Sequence, residues 1–234
     1  MSQQALDLES PHLPPLPDIT ISVNPNDIQA VENLETAISS LYRSPPGNND
    51  ISPAVEAAID SLPCSQPIKP SLLTSLGNVL LRRYERFGSA EDVDRAVTAH
   101  SKAVALLPDE HPEKPHYLSN LASSLLHRYE RSRETADIDK AVALQNEVVQ
   151  SSPDTNTMLP LWLNSSGVIL LHRFTNFGRP EDVNNGVTRL RKAVAMTGAG
   201  DPSRPGRLTN LGNGLARRFE RLGKMDDIDE ALAL

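Results

Sequence analysis

Cationic and imidazole side chains recur in this chain at a fixed interval. Arg82, His127, His172 and Arg217 stand 45 positions apart, and Arg86, Arg131 and Arg221 follow them by one helical turn, with Asn176 in the third place. Groups of this kind in a row can hold acidic side chains or a C-terminal carboxylate through charge-assisted hydrogen bonds. Ser75, Asn120, Ser165 and Asn210 recur at the same interval and add small polar groups on the same side. The same residues also fit a solvated face, in which the cations pair at i,i+3 or i,i+4 with Glu85, Glu130 and Glu220. The first reading is a binding surface, defined in type and not in partner; the second is a solvated face with no binding role.

A second series, Arg83, Arg128, Arg173 and Arg218, never changes, and each unit also keeps an acid at Asp92, Asp137, Asp182 or Asp227. That pattern predicts an Arg–Asp bridge within a unit or to its neighbour, with arginines lining a ligand groove as the rival. Gly77, Ala122, Gly167 and Gly212 are small at one repeated position, which predicts close approach of another helix. Reactive chemistry finds little support. His111 and His116 share a loop without further ligands at metal-binding spacing. The GAG at 198–200 lacks the strand, lysine and helix of a phosphate loop, and no Ser, His and Asp set sits in a nucleophile elbow. Cys64 is the only cysteine, has no base nearby in sequence, and fits a reducing compartment. Trp162 replaces Tyr117 and Arg207 before a unit's first leucine and reads as an inter-unit wedge or a binding anchor. No catalytic, metal or cofactor site is expected.

Elements that place such series must themselves repeat. The phrase LLRRYERFG from Leu80 returns as LLHRYERSR from Leu125, LLHRFTNFG from Leu170 and LARRFERLG from Leu215. In the first unit Leu73, Leu76, Gly77, Leu80, Tyr84 and Phe87 form one helical stripe, begun by Pro70 and ended by Gly88. Ser89 can cap the next helix, with Glu91 and Asp92 at the positive end of its dipole. Its stripe is Val93, Ala96, Val97, Ala103, Val104 and Leu107, closed by Pro108. Such a hairpin cannot cover its own apolar faces, so the sequence predicts an all-α solenoid of antiparallel helical hairpins. Units start at Leu73, Leu118, Leu163 and Leu208. The third has Ser166 in place of a leucine and Gly186 in place of an alanine, and is expected to be the loosest, because Gly costs about 1 kcal/mol against Ala in a helix. The last is incomplete, so Ile228, Ala231 and Leu232 would lack a following unit, an open C-terminal edge that invites self-association.

Residues 1–22 read as a disordered Pro-rich leader, 23–69 as a degenerate leading helical unit, and 70–234 as the repeat array. Within the leading unit, helices are expected over 27–41, capped by Asn26 or Asp27, and over 51–62, started by Pro53. Residues 1–69 hold nine Asp/Glu and two Lys/Arg, while 70–234 hold 21 of each, so the net charge of −7 belongs to the N-terminal part. Neither part has the cation surplus that nucleic-acid binding needs. No segment has the run of apolar residues of a membrane span, and the start lacks a secretory signal, which predicts a cytoplasmic protein.

Leu73, Leu76, Gly77 and Leu80, with Ala96, Ala103 and Pro108, resemble the signature of the tetratricopeptide repeat (TPR) in order and in spacing within each helix. The usual period is about 34; here the step from Gly77 to Ala96 is longer by about seven residues, which extends the first helix, and that from Pro108 to Leu118 by about four. Long units of this kind resemble arrays in large fungal proteins, some of which carry a caspase-like CHAT domain after the repeats. The resemblance covers 73–234, and no residue matches a CHAT catalytic segment. It implies a right-handed TPR-like superhelix with the first helices on its concave surface. The implied function is a non-enzymatic protein–protein interaction scaffold that binds a protein or peptide segment, acidic if the basic ladder holds it, in the groove. One alternative is a fragment of a larger multidomain signalling protein, its repeats a sensor or spacer for a CHAT-type peptidase or another effector; a second, from another class, is an enzyme using the histidine-bearing face.

Overall fold

The computed structural model describes residues 28–47 and 50–234; the expected leader over 1–22 and the caps Asn26 and Asp27 lie outside these residues. The described residues form ten helices and no strand: α1 (Ile28–Leu41), α2 (Ser52–Ser61), α3 (Lys69–Phe87), α4 (Ala90–Ala105), α5 (Lys114–Ser132), α6 (Thr135–Ser151), α7 (Leu159–Phe177), α8 (Pro180–Ala195), α9 (Arg204–Leu222) and α10 (Asp226–Leu232). Local chemistry sets these limits. Pro70, Pro115, Pro160 and Pro205 open α3, α5, α7 and α9, where the missing N–H would have had no partner in any case. Each of these four helices has 19 residues and ends at a left-handed residue: Gly88, Gly178 and Gly223 at φ 74°, 67° and 68°, and Arg133 at φ 61°. Arg133 takes a conformation that costs a side-chain-bearing residue about 1–2 kcal/mol; its guanidinium lies 5.7 Å from the Tyr129 ring centroid.

Ser89 stands at the start of α4, but its hydroxyl makes no capping bond, contrary to the expectation from sequence. The turn is closed by backbone alone, Asp92 N–H donating to the Ser89 carbonyl at 3.1 Å. The same bond joins Asp137 to Glu134 and Asp182 to Arg179, each at 3.0 Å, so the corner works whatever side chain stands there. α4 also stops at Ala105, before Leu107.

Each first helix packs on the second helix of its hairpin, and each second helix packs on the next first helix; α1 and α2 pack on α3 and on each other as a leading pair. The backbones of first helices α3, α5, α7 and α9 also approach one another in succession, whereas successive second helices stand farther apart and are bridged by long side chains, Arg95 of α4 to Glu56 of α2, Arg189 of α8 to Asn146 of α6 and Arg191 of α8 to Glu230 of α10. A stack whose backbones come together along one side curves toward that side, which puts the first helices on the concave face. Leu73, Leu76 and Leu80 are buried with Leu34, Ile38, Val55 and Ile59 of the leading pair, each side chain stabilising by about 1.5–3 kcal/mol. Phe87 leaves the expected stripe and is 38% exposed, because the chain reverses at Gly88 before anything can cover it. Its ring instead faces the Arg86 guanidinium at 5.0 Å.

The repeated small position is where second helices come closest. A Cβ on Gly77 would lie 2.5 Å from His100 Nε2, and one on Gly167 would lie 2.5 Å from Leu190 Cγ. His100, Gln145 and Leu190 occupy one repeated position. His100 is fully enclosed; burial drives its pKa down to about 4, against a backbone bond to Thr74 that raises it. The Thr74 carbonyl, 3.3 Å from Nε2, requires the ring proton there, so Nδ1 accepts from the Ser124 hydroxyl at 2.6 Å. Gly212 differs, since a Cβ there would meet only Leu234 at 3.7 Å.

The third unit is not loosened where its sequence departs. Gly186 faces Gly167, and a Cβ on it would lie 3.3 Å from the Gly167 carbonyl, so α7 and α8 meet backbone to backbone. Ser166 accepts a hydrogen bond from Arg189 of α8. Trp162 is buried with Leu118 and Val148, wedged between the second and third units. At the last hairpin Ala231 packs on the core of α7 to α9 and Ile228 is half-buried, while Leu232 is 83% exposed.

The invariant arginines and aspartates meet inside every hairpin. Arg83 is fully buried; its Nε donates to Asp92 Oδ2 at 2.8 Å, and a terminal nitrogen donates to the other oxygen. It also donates to Asp50 of the leading segment at 2.8 and 3.0 Å. Arg128 forks onto Asp137 at 2.7 Å twice, Arg173 onto Asp182 at 2.8 and 2.6 Å, and Arg218 onto Asp227 at 2.8 and 2.5 Å. Two arginines reach back a unit as well, Arg128 to Asp94 at 4.0 Å and Arg173 to Asp139 at 3.0 Å. Burial alone would raise the Asp50 carboxyl, but hydrogen bonds from Arg83 and Ser52 outweigh it and hold the group below its ordinary value. The Arg218 bond does the same for Asp227. A carboxyl depressed by folding stabilises above its unfolded pKa and loses that contribution as pH falls through the folded one, so the Arg83–Asp50 and Arg218–Asp227 pairs act fully above about pH 5 and fail in acid.

Arg83→Met strands two carboxylates and should lower stability by about 3–5 kcal/mol in thermal or urea unfolding, whereas Arg82→Met, one residue away and exposed, should change it by less than about 0.5 kcal/mol. Similar losses for both would refute the clamp. Gly77→Ala should destabilise by about 1–3 kcal/mol through overpacking against His100, while Gly212→Ala should be neutral or stabilise by up to about 1 kcal/mol. Equal effects on melting temperature would count against the close approach.

Candidate interaction surface

Because α3, α5, α7 and α9 begin and end 45 residues apart, equivalent side chains fall at equivalent places on successive inner helices. Arg82 and Ser75 are exposed on α3 and make no hydrogen bond or ion pair among the described residues. From there the repeated positions are interleaved with acids. His127 Nε2 lies 3.9 Å from Glu85 of the preceding helix, and its Nδ1 lies 3.5 Å from Glu130. The other Glu130 oxygen lies 3.4 Å from His172 Nδ1 on α7. Arg217 on α9 ends the row, donating to Thr175 Oγ1 at 2.9 Å and to the Leu171 carbonyl at 3.4 Å. The middle of the row is therefore a carboxylate set between two imidazoles, with arginines at its two ends.

Electrostatics sharpen that pattern. Glu130 is held below its ordinary pKa, chiefly by the hydrogen bond to His127 and despite burial, so it is a carboxylate at neutral pH. His172 is pushed down, first by burial and further by Arg217, Arg133 and His127, against the pull of Glu130. It is a neutral imidazole at pH 7, a hydrogen-bonding rung rather than a cation.

The second row behaves differently. Arg86 turns away to Tyr42, lying 5.3 Å from its ring centroid and 3.4 Å from its carbonyl. Arg131 reaches Asp94 on α4 at 2.9 and 3.1 Å. Arg221 is exposed and has no partner among the described residues. Among the small polar residues, Asn120 meets His116 at 3.2 Å, Asn210 donates to Asn164 at 3.0 Å across α7 and α9, and Ser165 is half-buried.

Three of the sequence-derived residues converge. His172, Asn210 and Arg217 line one cleft between α7 and α9, completed by Val168, Leu171 and Asn213. The last three did not stand out in the sequence. Asn213 had a partial signal, since its repeated position is polar at Asn78 and Ser123 though Val168 fills it in the third unit, whereas Leu171 carried none. Arg217 meets neutral acceptors alone there, without a carboxylate among the described residues. Elsewhere, the His111 ring accepts the Glu113 backbone N–H at 3.2 Å, Cys64 is an exposed free thiol, and no described helix is long and apolar enough to cross a membrane.

No family model matches the sequence, and no curated protein matches it significantly. Solved structures do resemble it. The chain is similar to the nearly identical TPR-like repeats of a Podospora anserina protein assigned as a kinesin light chain, with TM-score 0.57 and 16% identity over 87% of this chain and 93% of that one. It is equally similar to a glutamine-to-methionine variant of those repeats, with TM-score 0.59 and 15% identity over the same shares. With hairpins in register, first helices turned inward and this likeness over most of both chains, the fold is a TPR-like array, an α-solenoid of helical repeats.

Proposed function

We propose that this chain is a protein-interaction scaffold that does no covalent chemistry and holds an acidic segment of a partner protein against its concave face. The observation that carries the reading is the cleft between α7 and α9, where His172, Asn210 and Arg217 meet. Arg217 offers a guanidinium whose bonds go to a hydroxyl and a carbonyl, which leaves its charge open to a carboxylate. The asparagines beside it give a peptide backbone donors and acceptors. Arg82 and Arg221 supply further cations on the inner helices, and the Glu130 carboxylate between two histidines sets where an acidic segment cannot lie. A cytoplasmic setting agrees with the exposed, unpaired Cys64.

The test is selection of twelve-residue peptides on the immobilised chain. Wild type should enrich acidic sequences, and Arg217→Glu should bind the winning peptide at least about tenfold more weakly while Arg43→Glu leaves it unchanged. The same peptides at the same affinity on wild type and Arg217→Glu would overturn the reading.

A further inference from the structure

The junction of α6, α7 and α8 contains a cation that the array does not neutralise. Arg189 of α8 is half-buried and donates to the Ser166 hydroxyl of α7 and to Asn146 Oδ1 of α6 at 2.7 Å. No carboxylate lies within ion-pair distance of it among the described residues. Burial alone pushes its pKa down, with no acid nearby to oppose the shift. A guanidinium keeps its proton regardless, so the lost hydration is a standing cost of the fold.

The 45-residue register shows how unusual this place is. The positions of Ser166 and Arg189 are Leu76 with Ala99 in the first unit and Leu121 with Leu144 in the second, both apolar contacts. The equivalent junction in the first unit, where α2, α3 and α4 meet, carries its own acids: Arg95 donates to Glu56 at 2.7 Å and Lys102 to Asp60 at 2.7 Å. Ninety positions on, Glu56 and Asp60 become Asn146 and Gln150, while Lys102 stays a lysine as Lys192. Lys192 reaches out to the exposed Asp154 at 2.7 Å, an acid that Arg189 does not share. Arg95 becomes Asn185, so the third unit keeps two cations at this junction, one of them moved to Arg189, but has lost both carboxylates.

We propose that this junction is a second binding site, in which Arg189 takes an acidic side chain presented by a partner protein. Two of the five guanidinium N–H groups are engaged, and the three remaining match the two oxygens of a carboxylate, the group that serves the corresponding junction of the first unit. Ser166 and Asn146 fix the plane of the fork before a ligand arrives. The site lies where second helices flank α7, so it is separate from the cleft between α7 and α9, and a partner could engage both.

The measurement is titration of the full chain with end-blocked hexaglutamate, following the Arg189 Nε–Hε resonance by NMR, in an Arg217→Glu background so that the concave cleft does not contribute. The resonance should shift saturably. Asn146→Asp places an isosteric carboxylate on Arg189 and should raise the melting temperature by a few degrees while weakening hexaglutamate at least about tenfold; Arg189→Gln should weaken it equally. Inorganic phosphate at the same concentration should not reproduce the shift. An unmoved Arg189 resonance, equal affinity in wild type and Asn146→Asp, or saturation by phosphate in place of the peptide would each overturn the proposal. Failure of the concave-face reading would leave the Arg189 response intact.

Discussion

A guanidinium gripped on two sides by an aspartate nine residues further on is the constraint around which each hairpin is built. Apolar stripes press helices together but tolerate sliding and rotation, because the hydrophobic effect has no direction. A forked ion pair fixes both a distance and a plane. Here it ties the end of one helix to the first turn of the next, across the left-handed corner at Gly88, Arg133, Gly178 or Gly223. Buried ion pairs contribute little net stability over apolar replacements. Their yield in this chain is geometry, four corners of one shape, and identical corners are what allow identical stacking.

Features governed by local chemistry were legible in the sequence. The proline that opens each inner helix and the residue that ends it act within one turn of chain, so the limits of α3, α5, α7 and α9 could be read by eye. The capping role of Ser89 misled because the corner is closed by backbone bonds that no side chain reveals. What faces what across helices was less accessible. Nothing near Gly77 announces that His100 sits against it, and the phase that puts Arg86 one turn after Arg82 does not show that Tyr42 draws it aside. Likewise the period brings Glu130 and His172 to one face, but only packing decides that the carboxylate stands between two imidazoles.

The third unit shows how a repeat can change without failing. Gly186 opposite Gly167 removes side-chain volume from both helices at once, so they close up and leave no hole. Ser166 and Arg189 change together from an apolar pair to a polar one, with Asn146 supplying a third partner. Considered singly, each of these residues looks like damage to the pattern. Considered as neighbours in space they are mutually compensating, which a linear reading of the repeat cannot reveal.

Close backbone approach between successive inner helices, with successive outer ones joined through long side chains such as Arg189 to Asn146 and Arg191 to Glu230, makes the array mechanically lopsided. Bending it more tightly would compress side chains that already touch, and close-packed atoms resist compression steeply. Flattening it strains only those flexible side-chain bridges, which give more easily than a packed seam. The solenoid therefore yields more readily toward an open shape than a closed one.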